Sequence, residues 1–304
     1  MTRLSVNINK IATLRNARGT NLPNLLQVAK DIEKFGAQGI TVHPRPDERH
    51  IKQQDVYDLN SEIKVEFNIE GYPNQDYLNL IQNIRPAQAT LVPDPPDVLT
   101  SNAGWKILEN QTQLKTVIKA LKLSGTRVSL FLDPFEYQES SLQEIVDTGA
   151  DRIELYTERY ARCVIVHGGV NGVETRSVVT PGLTRGPAKS HGNWIPGQAR
   201  DDSQNSDRSK NPTKRHLYPR ERLKDEVLGV YARVAHQAVK AGLKVNAGHD
   251  LNLNNLKYFI EEIGCISEVS IGHALICDAL YFGLEKTVQY YLNCLNGVSG
   301  TSGG

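Results

Sequence analysis

Short apolar runs alternate along the chain with longer segments whose apolar residues recur at helical spacing. The apolar runs predict eight strands, at residues 4–8, 40–43, 65–70, 89–93, 128–133, 153–157, 243–249 and 269–273. The helical spacing predicts helices at residues 22–35, 51–63, 75–84, 108–123, 142–148, 221–241, 253–263 and 274–295. We expect the last helix to break at Gly283, and residues 9–19 to form a loop that carries Arg15 and Arg18.

Each predicted strand is followed by a helical segment. This strict alternation implies parallel strands joined by right-handed crossovers, and eight such units close into a barrel. An open doubly wound sheet is the alternative, but it calls for a G-x-G-x-x-G turn after the first strand, and this sequence has none there. We therefore predict an α/β fold, a single (β/α)8 TIM barrel over residues 1–304, with a flexible tail at residues 297–304.

One stretch, residues 163–219, interrupts this alternation after the sixth strand. Within it, residues 176–219 hold five prolines and eight Lys or Arg against three Asp. Such a composition cannot bury enough apolar surface to offset the entropy lost on ordering. We expect a long disordered insertion in a loop of the barrel, where closure entropy grows only slowly with length. An inert insertion is favoured over the alternative, a basic RNA-binding arm.

Composition narrows the classes of function. The formal net charge of +1 argues against a general polyanion binder, so no nucleic-acid partner is expected. No apolar run approaches the about 20 residues that cross a bilayer, and the N-terminus lacks the apolar region of a signal peptide. The four cysteines form no C-x-x-C pair. We expect a cytoplasmic protein in a reducing compartment, without membrane contact.

Polar side chains gather where the predicted strands end. The second strand runs into a proline-stiffened loop with two imidazoles and two guanidiniums, His43, Arg45, Arg49 and His50. Other strands end at or carry Asn7, Glu70, Pro93, Asp133, Glu154, His249 and His273. The carboxyl ends of the strands meet at one face of a barrel, which is where barrel enzymes place their active sites. The sequence therefore predicts an active site at this face.

Three of these residues carry the chemical argument. Glu70 ends an apolar strand, where burial raises a carboxyl pKa and suits it to proton transfer. His249 and His273 each follow a glycine on the last two strands, where barrels commonly bind phosphate. The plainer alternatives are an ion pair with a barrel arginine for Glu70, satisfied core histidines for the other two, and a solvated basic loop for residues 43–50.

The strand ends also indicate which chemistries to disfavour. No predicted strand end presents a lysine, which disfavours a Schiff base with the enzyme. A metal could be held by His43, His50, Glu70 and His249, but the H-x-H and carboxylate-cluster spacings of barrel metallohydrolases are absent. We expect no metal and no cofactor, and metal-free acid–base chemistry on a phosphorylated substrate.

Seven segments carry a resemblance to a known family. They are residues 7–19 (NINKIATLRNARG), 39–45 (GITVHPR), 49–51 (RHI), 67–70 (FNIE), 91–93 (LVP), 246–249 (NAGH) and 271–274 (IGHA). In this order and spacing the chain resembles the pyridoxine 5′-phosphate synthase family over residues 4–160 and 221–295. The first segment is long and nearly diagnostic.

The resemblance implies a reaction and an assembly. In the family, 3-amino-2-oxopropyl phosphate condenses with 1-deoxy-D-xylulose 5-phosphate to give pyridoxine 5′-phosphate, phosphate and water, and the substrate supplies the amine of the imine. A homo-octamer of barrels and a closing lid at residues 94–104 are also implied. The alternatives are another phosphosugar isomerase or aldolase on the same fold, and a barrel that the insertion has made inactive and that is kept as a binding or scaffold protein.

The resemblance also implies site residues. His43 and Glu70 match proton acceptors, His249 matches the proton donor, and Glu154 matches a residue that stabilises the transition state. The matching contacts to the aminoketone phosphate are Asn7, Arg18, Asp250, Gly272 and His273. The matching contacts to the deoxyxylulose phosphate are Asn9, Lys10, Arg45, His50 and Thr100. The chain departs from the family at residues 9–10, where the family often has Asp-His, and at residue 250, where a glycine is common.

Overall fold

A closed barrel of eight parallel strands forms the centre of the molecule, in the chain order β1 to β8. The computed structural model describes residues 1–93, 104–137, 141–164 and 219–296. The strands are β1 Arg3–Asn7, β2 Gly39–Val42, β3 Glu66–Gly71, β4 Gln88–Leu91, β5 Arg127–Leu132, β6 Arg152–Tyr156, β7 Lys244–Gly248 and β8 Ile266–Ile271. The predicted TIM barrel is confirmed, and all eight predicted strands are present within a few residues of their predicted bounds.

Eleven helices accompany the barrel in the described part of the chain. They are α1 Asn9–Asn16, α2 Leu25–Lys34, α3 Gln53–Glu62, α4 Gln75–Ile84, α5 Ile107–Leu123, α6 Ser141–Asp147, α7 Glu158–Cys163, α8 Pro219–Lys240, α9 Leu256–Ile263, α10 His273–Phe282 and α11 Leu284–Asn296. The predicted break at Gly283 is confirmed, since this glycine separates α10 from α11 with φ +81. The short helix α7 was not predicted.

The loop predicted for residues 9–19 is wrong, because most of it is helix α1. Ile11, Ala12 and Arg15 are buried along one side of this helix, at the spacing of a helical stripe. The stripe is obscured in the sequence because its last member is an arginine. Arg15 is buried because Asp55 on α3 binds its guanidinium through two hydrogen bonds, of 2.5 and 2.8 Å.

Strand closure depends on β1 and β8, which pair in parallel from Arg3 opposite Glu268 to Val6 opposite Ile271. The strands are buried on both faces because the helices cover the outside and the strands close around the inside. The outward positions are apolar, whereas much of the interior is polar. Inside, Ser5 and Thr41 hydroxyls lie 2.7 Å apart, and Asn68 bridges Thr41 and Thr90 at 3.3 and 3.0 Å.

Three sequence predictions fall outside the described residues. The predicted insertion lies there except for residues 163, 164 and 219; Cys163 ends α7 and Pro219 begins α8. Residues 94–103 of the predicted lid and the tail at residues 297–304 lie there as well. In the part of the chain that the structure describes, no helix is both long and apolar enough to cross a membrane.

Candidate active site

The carboxyl ends of β2 and β3 bring together the first two predicted catalytic residues. His43 follows β2 and Glu70 is the next-to-last residue of β3, and Nδ1 of His43 lies 3.7 Å from Oε2 of Glu70. The same oxygen accepts a 3.4 Å hydrogen bond from Nδ2 of Asn7, the last residue of β1. Three neighbouring strands therefore place an imidazole, a carboxyl and an amide around one point.

Burial governs the charge of Glu70. Its side chain is 15% exposed, and desolvation raises its pKa from 4.5 to about 7, although the charge of Arg45 acts in the opposite direction. A carboxyl with this pKa exists in both protonation states near neutral pH. Glu70 can therefore either accept or donate a proton there.

Glu154 lies in the middle of β6 and is buried. One of its oxygens, Oε2, has no hydrogen-bond partner within the described parts of the chain. Burial, followed by the charges of Glu70 and Glu268, raises the pKa of Glu154 well above 4.5. Two carboxyls that repel each other in a low-dielectric interior do not both ionise, so Glu154 is the one that stays protonated. A neutral carboxyl can donate a hydrogen bond to charge that develops on a substrate.

The two histidines of the β2 loop are held neutral. Burial, with the charges of Arg45 and Arg49, lowers the pKa of His43 well below 6.5. Burial, with Arg49, Arg45 and Lys10, lowers the pKa of His50 to about 4. The rings lie edge to face with their centres 6.5 Å apart. A neutral imidazole keeps a free lone pair, so His43 is ready to accept a proton at neutral pH.

His249 lies directly after β7 and has the opposite tendency. Its Nδ1 lies 2.7 Å from Oδ2 of Asp250, and its ring packs edge-on against Tyr156 with the centres 5.1 Å apart. Burial acts to lower the pKa of His249, but the Asp250 hydrogen bond and the charges of Asp250 and Glu158 together raise it. The site thus combines His43, which follows β2 and is neutral, with His249, which follows β7 and has a raised pKa.

The end of β8 provides a candidate phosphate site. Gly272 precedes α10, and a Cβ at this position would lie 3.0 Å from the Cβ of Asn7. His273 is the first residue of α10 and lies outside the strand, which ends at Ile271 instead of the predicted residue 273. The first amides of a helix are free to bind an anion, and only glycine lets the neighbouring backbone approach Asn7 this closely.

Helix α1 ties the end of β1 to the β2 loop. Oδ1 of Asn7 accepts the backbone N–H of Asn9 at 3.0 Å, and Oδ1 of Asn9 accepts the backbone N–H of His43 at 3.0 Å. Lys10 and Arg18 are exposed at the two ends of this helical segment, whereas Arg45 is buried. Thr100, also predicted to bind substrate, lies outside the described residues.

Sequence reasoning assigned no function to the residues that hold this loop. The side chains of Arg15 and Asn16 both donate to the carbonyl of His50, at 3.2 and 2.8 Å. They fix the loop that carries His43, Arg45 and His50. The signal was available, since both residues lie inside the segment 7–19 that carries the family resemblance, but their partners are distant in the chain.

Asp133, one of the strand-end residues named in the sequence analysis, is engaged in structural hydrogen bonds. Asp133 is buried after β5, where its carboxylate accepts a 3.2 Å hydrogen bond from Arg159 and the backbone N–H of Phe135 at 2.9 Å. It serves to hold its own turn. Among the described side chains, no group of three or more His, Cys, Asp and Glu is arranged to hold a metal ion.

Comparison with known proteins matches the chain to one family. A family model described as "Pyridoxal phosphate biosynthesis protein PdxJ" matches residues 4–297. The chain is 44% identical over 296 residues to a protein of Parabacteroides distasonis named pyridoxine 5′-phosphate synthase, covering 97% of this chain and all of that one. A Porphyromonas gingivalis protein of the same name is 45% identical over 291 residues, covering 96% and 98% of the two chains.

Solved structures with a similar fold are far more distant in sequence. A tryptophan synthase α-subunit mutant from Pyrococcus furiosus superposes with a TM-score of 0.51 at 12% identity, covering 96% of this chain and 97% of that one. Tryptophan synthase from M. tuberculosis superposes with a TM-score of 0.53 at 9% identity, covering 97% and 94%. At this identity the likeness concerns the barrel fold alone.

Proposed function

Because the chain belongs to the PdxJ family of pyridoxal phosphate biosynthesis proteins, we propose that it is a pyridoxine 5′-phosphate synthase acting through the strand-end side chains at the barrel mouth. The substrates are 3-amino-2-oxopropyl phosphate and 1-deoxy-D-xylulose 5-phosphate. Their condensation gives pyridoxine 5′-phosphate, one phosphate and two waters. The observation that carries the assignment of the site is the pairing of His43 with Glu70, 3.7 Å apart, beside a buried carboxyl on β6.

The proton acceptors are His43 and Glu70. Ring formation requires protons to be removed from carbon and nitrogen atoms of the bound substrates, and a base must be unprotonated to do so. The pKa of His43 lies well below 6.5, so the ring is neutral at neutral pH. The pKa of about 7 at Glu70 lets this carboxyl take a proton in one step and return it in another.

The proton donor is His249, and Glu154 assists. Loss of phosphate and water needs an acid that protonates the leaving oxygen, and a histidine with a raised pKa supplies that proton. Glu154 is buried with a free oxygen. As a neutral carboxyl it stabilises negative charge that develops on a substrate carbonyl oxygen. The amine of the imine comes from the aminoketone, which fits the absence of lysine from the strand ends.

Two sets of residues separate the two substrates. The aminoketone phosphate is assigned to Asn7, Arg18, Gly272 and His273, and the family resemblance implies a further contact at residue 250. The deoxyxylulose phosphate is assigned to Asn9, Lys10, Arg45, His50 and Thr100. Support comes from position: Asn7 and Gly272 adjoin at the ends of β1 and β8, whereas Arg45 and His50 share the β2 loop. Arginine and a helix N-terminus are common phosphate-binding devices.

The experiment is incubation of the purified chain with both phosphates, followed by mass detection of pyridoxine 5′-phosphate. Omission of either substrate is the control for background, and prior treatment with EDTA tests the expectation that no metal is needed. Release of phosphate in equal amount to the product supports the condensation. Turnover of one substrate alone into an isomer or aldol product would instead indicate another phosphosugar enzyme, and no turnover would indicate an inactive barrel.

We also propose a homo-octamer in the cytoplasm. The family resemblance implies the octamer, and the exposed Leu280 and Tyr281 near the end of α10 give apolar surface that a second copy could cover. All four cysteines are unpaired, which suits a reducing compartment. Native mass spectrometry tests the assembly, since an octamer has eight times the chain mass of 33.8 kDa.

A further inference from the structure

Both backbone polar groups of Asp250 are hydrogen-bonded within the chain, and its carboxylate contacts the neighbouring ring of His249. Its backbone N–H donates to Oγ1 of Thr157 at 3.3 Å, and its carbonyl accepts from Nδ2 of Asn255 at 3.2 Å. Oγ1 of Thr157 also donates to the carbonyl of Gly248 at 2.7 Å. The turn after β7 is thereby fixed on both sides of His249, and Oδ2 of Asp250 lies 2.7 Å from Nδ1 of that ring.

The backbone conformation of His249 is strained, which indicates that the surrounding contacts hold this turn in place. Its φ is +90, a left-handed value that a residue with a Cβ rarely adopts. Strain of this kind persists only where the surroundings over-determine it, and it clusters at functional sites. Among the described residues, Nε2 of His249 has no hydrogen-bond partner, so the ring is anchored through Nδ1 alone.

We propose that Asp250 is a positioning residue, whose carboxylate binds the Nδ1–H of His249 and thereby leaves Nε2 as the nitrogen that transfers the proton. The proposal rests on the proposed function, because it concerns how the acid of that reaction is prepared. It assigns the Asp250 side chain to His249, whereas the family resemblance implies a phosphate contact at this position. The backbone N–H of Asp250 is already bonded to Thr157, and one of its carboxylate oxygens is engaged by His249.

The charges around the ring determine how much Asp250 contributes. Tyr156 and Glu154 approach from β6 and Glu158 from α7, in addition to Asp250 on the same turn. Burial lowers the pKa of His249, and the Asp250 hydrogen bond is the largest of the influences that raise it, followed by the charges of Asp250 and Glu158. Without Asp250, the balance moves toward the effect of burial, and the histidine releases its proton at lower pH.

The test uses the full chain with three substitutions. Asp250→Asn keeps the shape and removes the charge, Asp250→Ala removes both, and Glu158→Gln removes a neighbouring charge without touching the Nδ1 bond. Asp58→Asn on the exposed side of α3 is the matched control, since among the described residues the carboxylate of Asp58 accepts a hydrogen bond only from Gln54 on its own helix. The pKa of His249 is read from the pH dependence of its modification by diethyl pyrocarbonate, measured on its peptide by mass spectrometry without substrates.

For Asp250→Asn and Asp250→Ala, the modification midpoint of His249 should move to lower pH, and kcat near neutral pH should fall by about tenfold or more with little change in KM. Glu158→Gln should move the midpoint in the same direction but lower kcat less, because the Nδ1 bond remains. Asp58→Asn should change neither quantity. Circular dichroism checks that each variant is folded, and Asp250→Glu, which restores the charge, should recover part of the midpoint shift.

Two results would overturn the proposal. A raised KM for the aminoketone with an unmoved His249 midpoint would show that Asp250 serves the substrate. An unmoved midpoint with unchanged kinetics would show that it only shapes the turn. The modification experiment needs no turnover, so it remains decisive even if the wild-type chain makes no pyridoxine 5′-phosphate, an outcome that would count against the proposed function instead.

Discussion

The side chain of Glu154 on β6 occupies the space that a side chain at Gly248 on β7 would need. A Cβ on Gly248 would lie 2.6 Å from Oε1 of Glu154 and 3.0 Å from the carbonyl oxygen of Ser270. A Cβ essentially never makes a contact as short as 2.6 Å, so any larger residue must push the carboxyl or the strand aside. The glycine before His249 is therefore required by a carboxyl on the neighbouring strand, in addition to any contact with phosphate.

Gly248→Ala should accordingly cost about 1–3 kcal/mol of stability through overpacking and should also lower kcat, because Glu154 is displaced. The control is Gly229→Ala in α8, where an added Cβ meets nothing within 4 Å. This change should stabilise the helix by about 0.5–1 kcal/mol. Thermal denaturation and steady-state kinetics of both variants measure the difference, and equal stability of the two would refute the steric argument.

Glu70→Gln should lower kcat by about 10²–10⁴ and change KM little, because it keeps the shape of the side chain and removes the base. Glu62→Gln, at an exposed glutamate paired with Lys30 on the surface, is the matched control and should keep wild-type kinetics. Near wild-type turnover by Glu70→Gln would remove Glu70 from the proposed mechanism.

The same substitution should change how stability depends on pH. The pKa of Glu70 is raised from 4.5 to about 7 in the folded protein. Between these values the folded state keeps a proton that the unfolded state has released, so the stabilising contribution is present below pH 4.5 and is lost as the pH rises through about 7. The melting temperature of Glu70→Gln relative to wild type should therefore rise from pH 5 to pH 8. A constant difference would contradict the raised pKa.

Substitutions of Arg45 and Arg18 should differ in their effect on the pH profile of kcat/KM. The charge of Arg45 lowers the pKa of both Glu70 and His43, so Arg45→Gln should move the acidic limb of kcat/KM to higher pH. Arg18 is exposed beyond α1, and Arg18→Ala should weaken aminoketone binding by roughly 1.5–3 kcal/mol without moving the limb. Identical profiles for the two variants would indicate a general electrostatic role.

Two ion pairs should differ greatly in their contribution to stability. The side chains of Arg15 and Asp55 are 7% and 13% exposed, whereas those of Lys30 and Glu62 are 40% and 48% exposed. Arg15→Ala leaves a buried carboxylate without its partner and should cost about 3–5 kcal/mol. Lys30→Ala should cost far less, because solvent screens the exposed pair. Denaturant unfolding compares the two, and Arg15→Ala should also raise KM because the His50 carbonyl keeps only the hydrogen bond from Asn16.

We further propose that the chain between α7 and α8 is a dispensable insertion, on the grounds of its composition. Replacing residues 176–218 with a short Gly/Ser linker should leave the melting temperature nearly unchanged, since loop closure costs only about 0.6 kcal/mol per doubling of length. Activity should be kept or should rise. Limited proteolysis of the intact chain should cut first in this segment. Loss of folding on deletion would show that the segment belongs to the barrel.

The sequence by itself determined the fold and the residue types at the barrel mouth. Alternation of apolar strands and amphipathic helices is a local pattern that survives without tertiary information, and it predicted all eight strands and the break at Gly283. The motif at residues 7–19 and the polar strand ends pointed to His43, Glu70, His249 and their neighbours. In a barrel the carboxyl ends of the strands must meet at one face, so position in the chain was enough to gather them.

Only the tertiary structure decided which of those residues contact one another and how these contacts set their pKa values. Residues 9–19 were predicted to be a loop, but most of them form α1, and the partner that buries Arg15 on this helix, Asp55, is 40 residues away in the chain. Burial gives His43 a lowered and Glu154 a raised pKa, while Asp250 and other nearby carboxylates raise that of His249. Protonation depends on desolvation and on charges brought close by folding, and neither quantity is written in the spacing of residues along the chain.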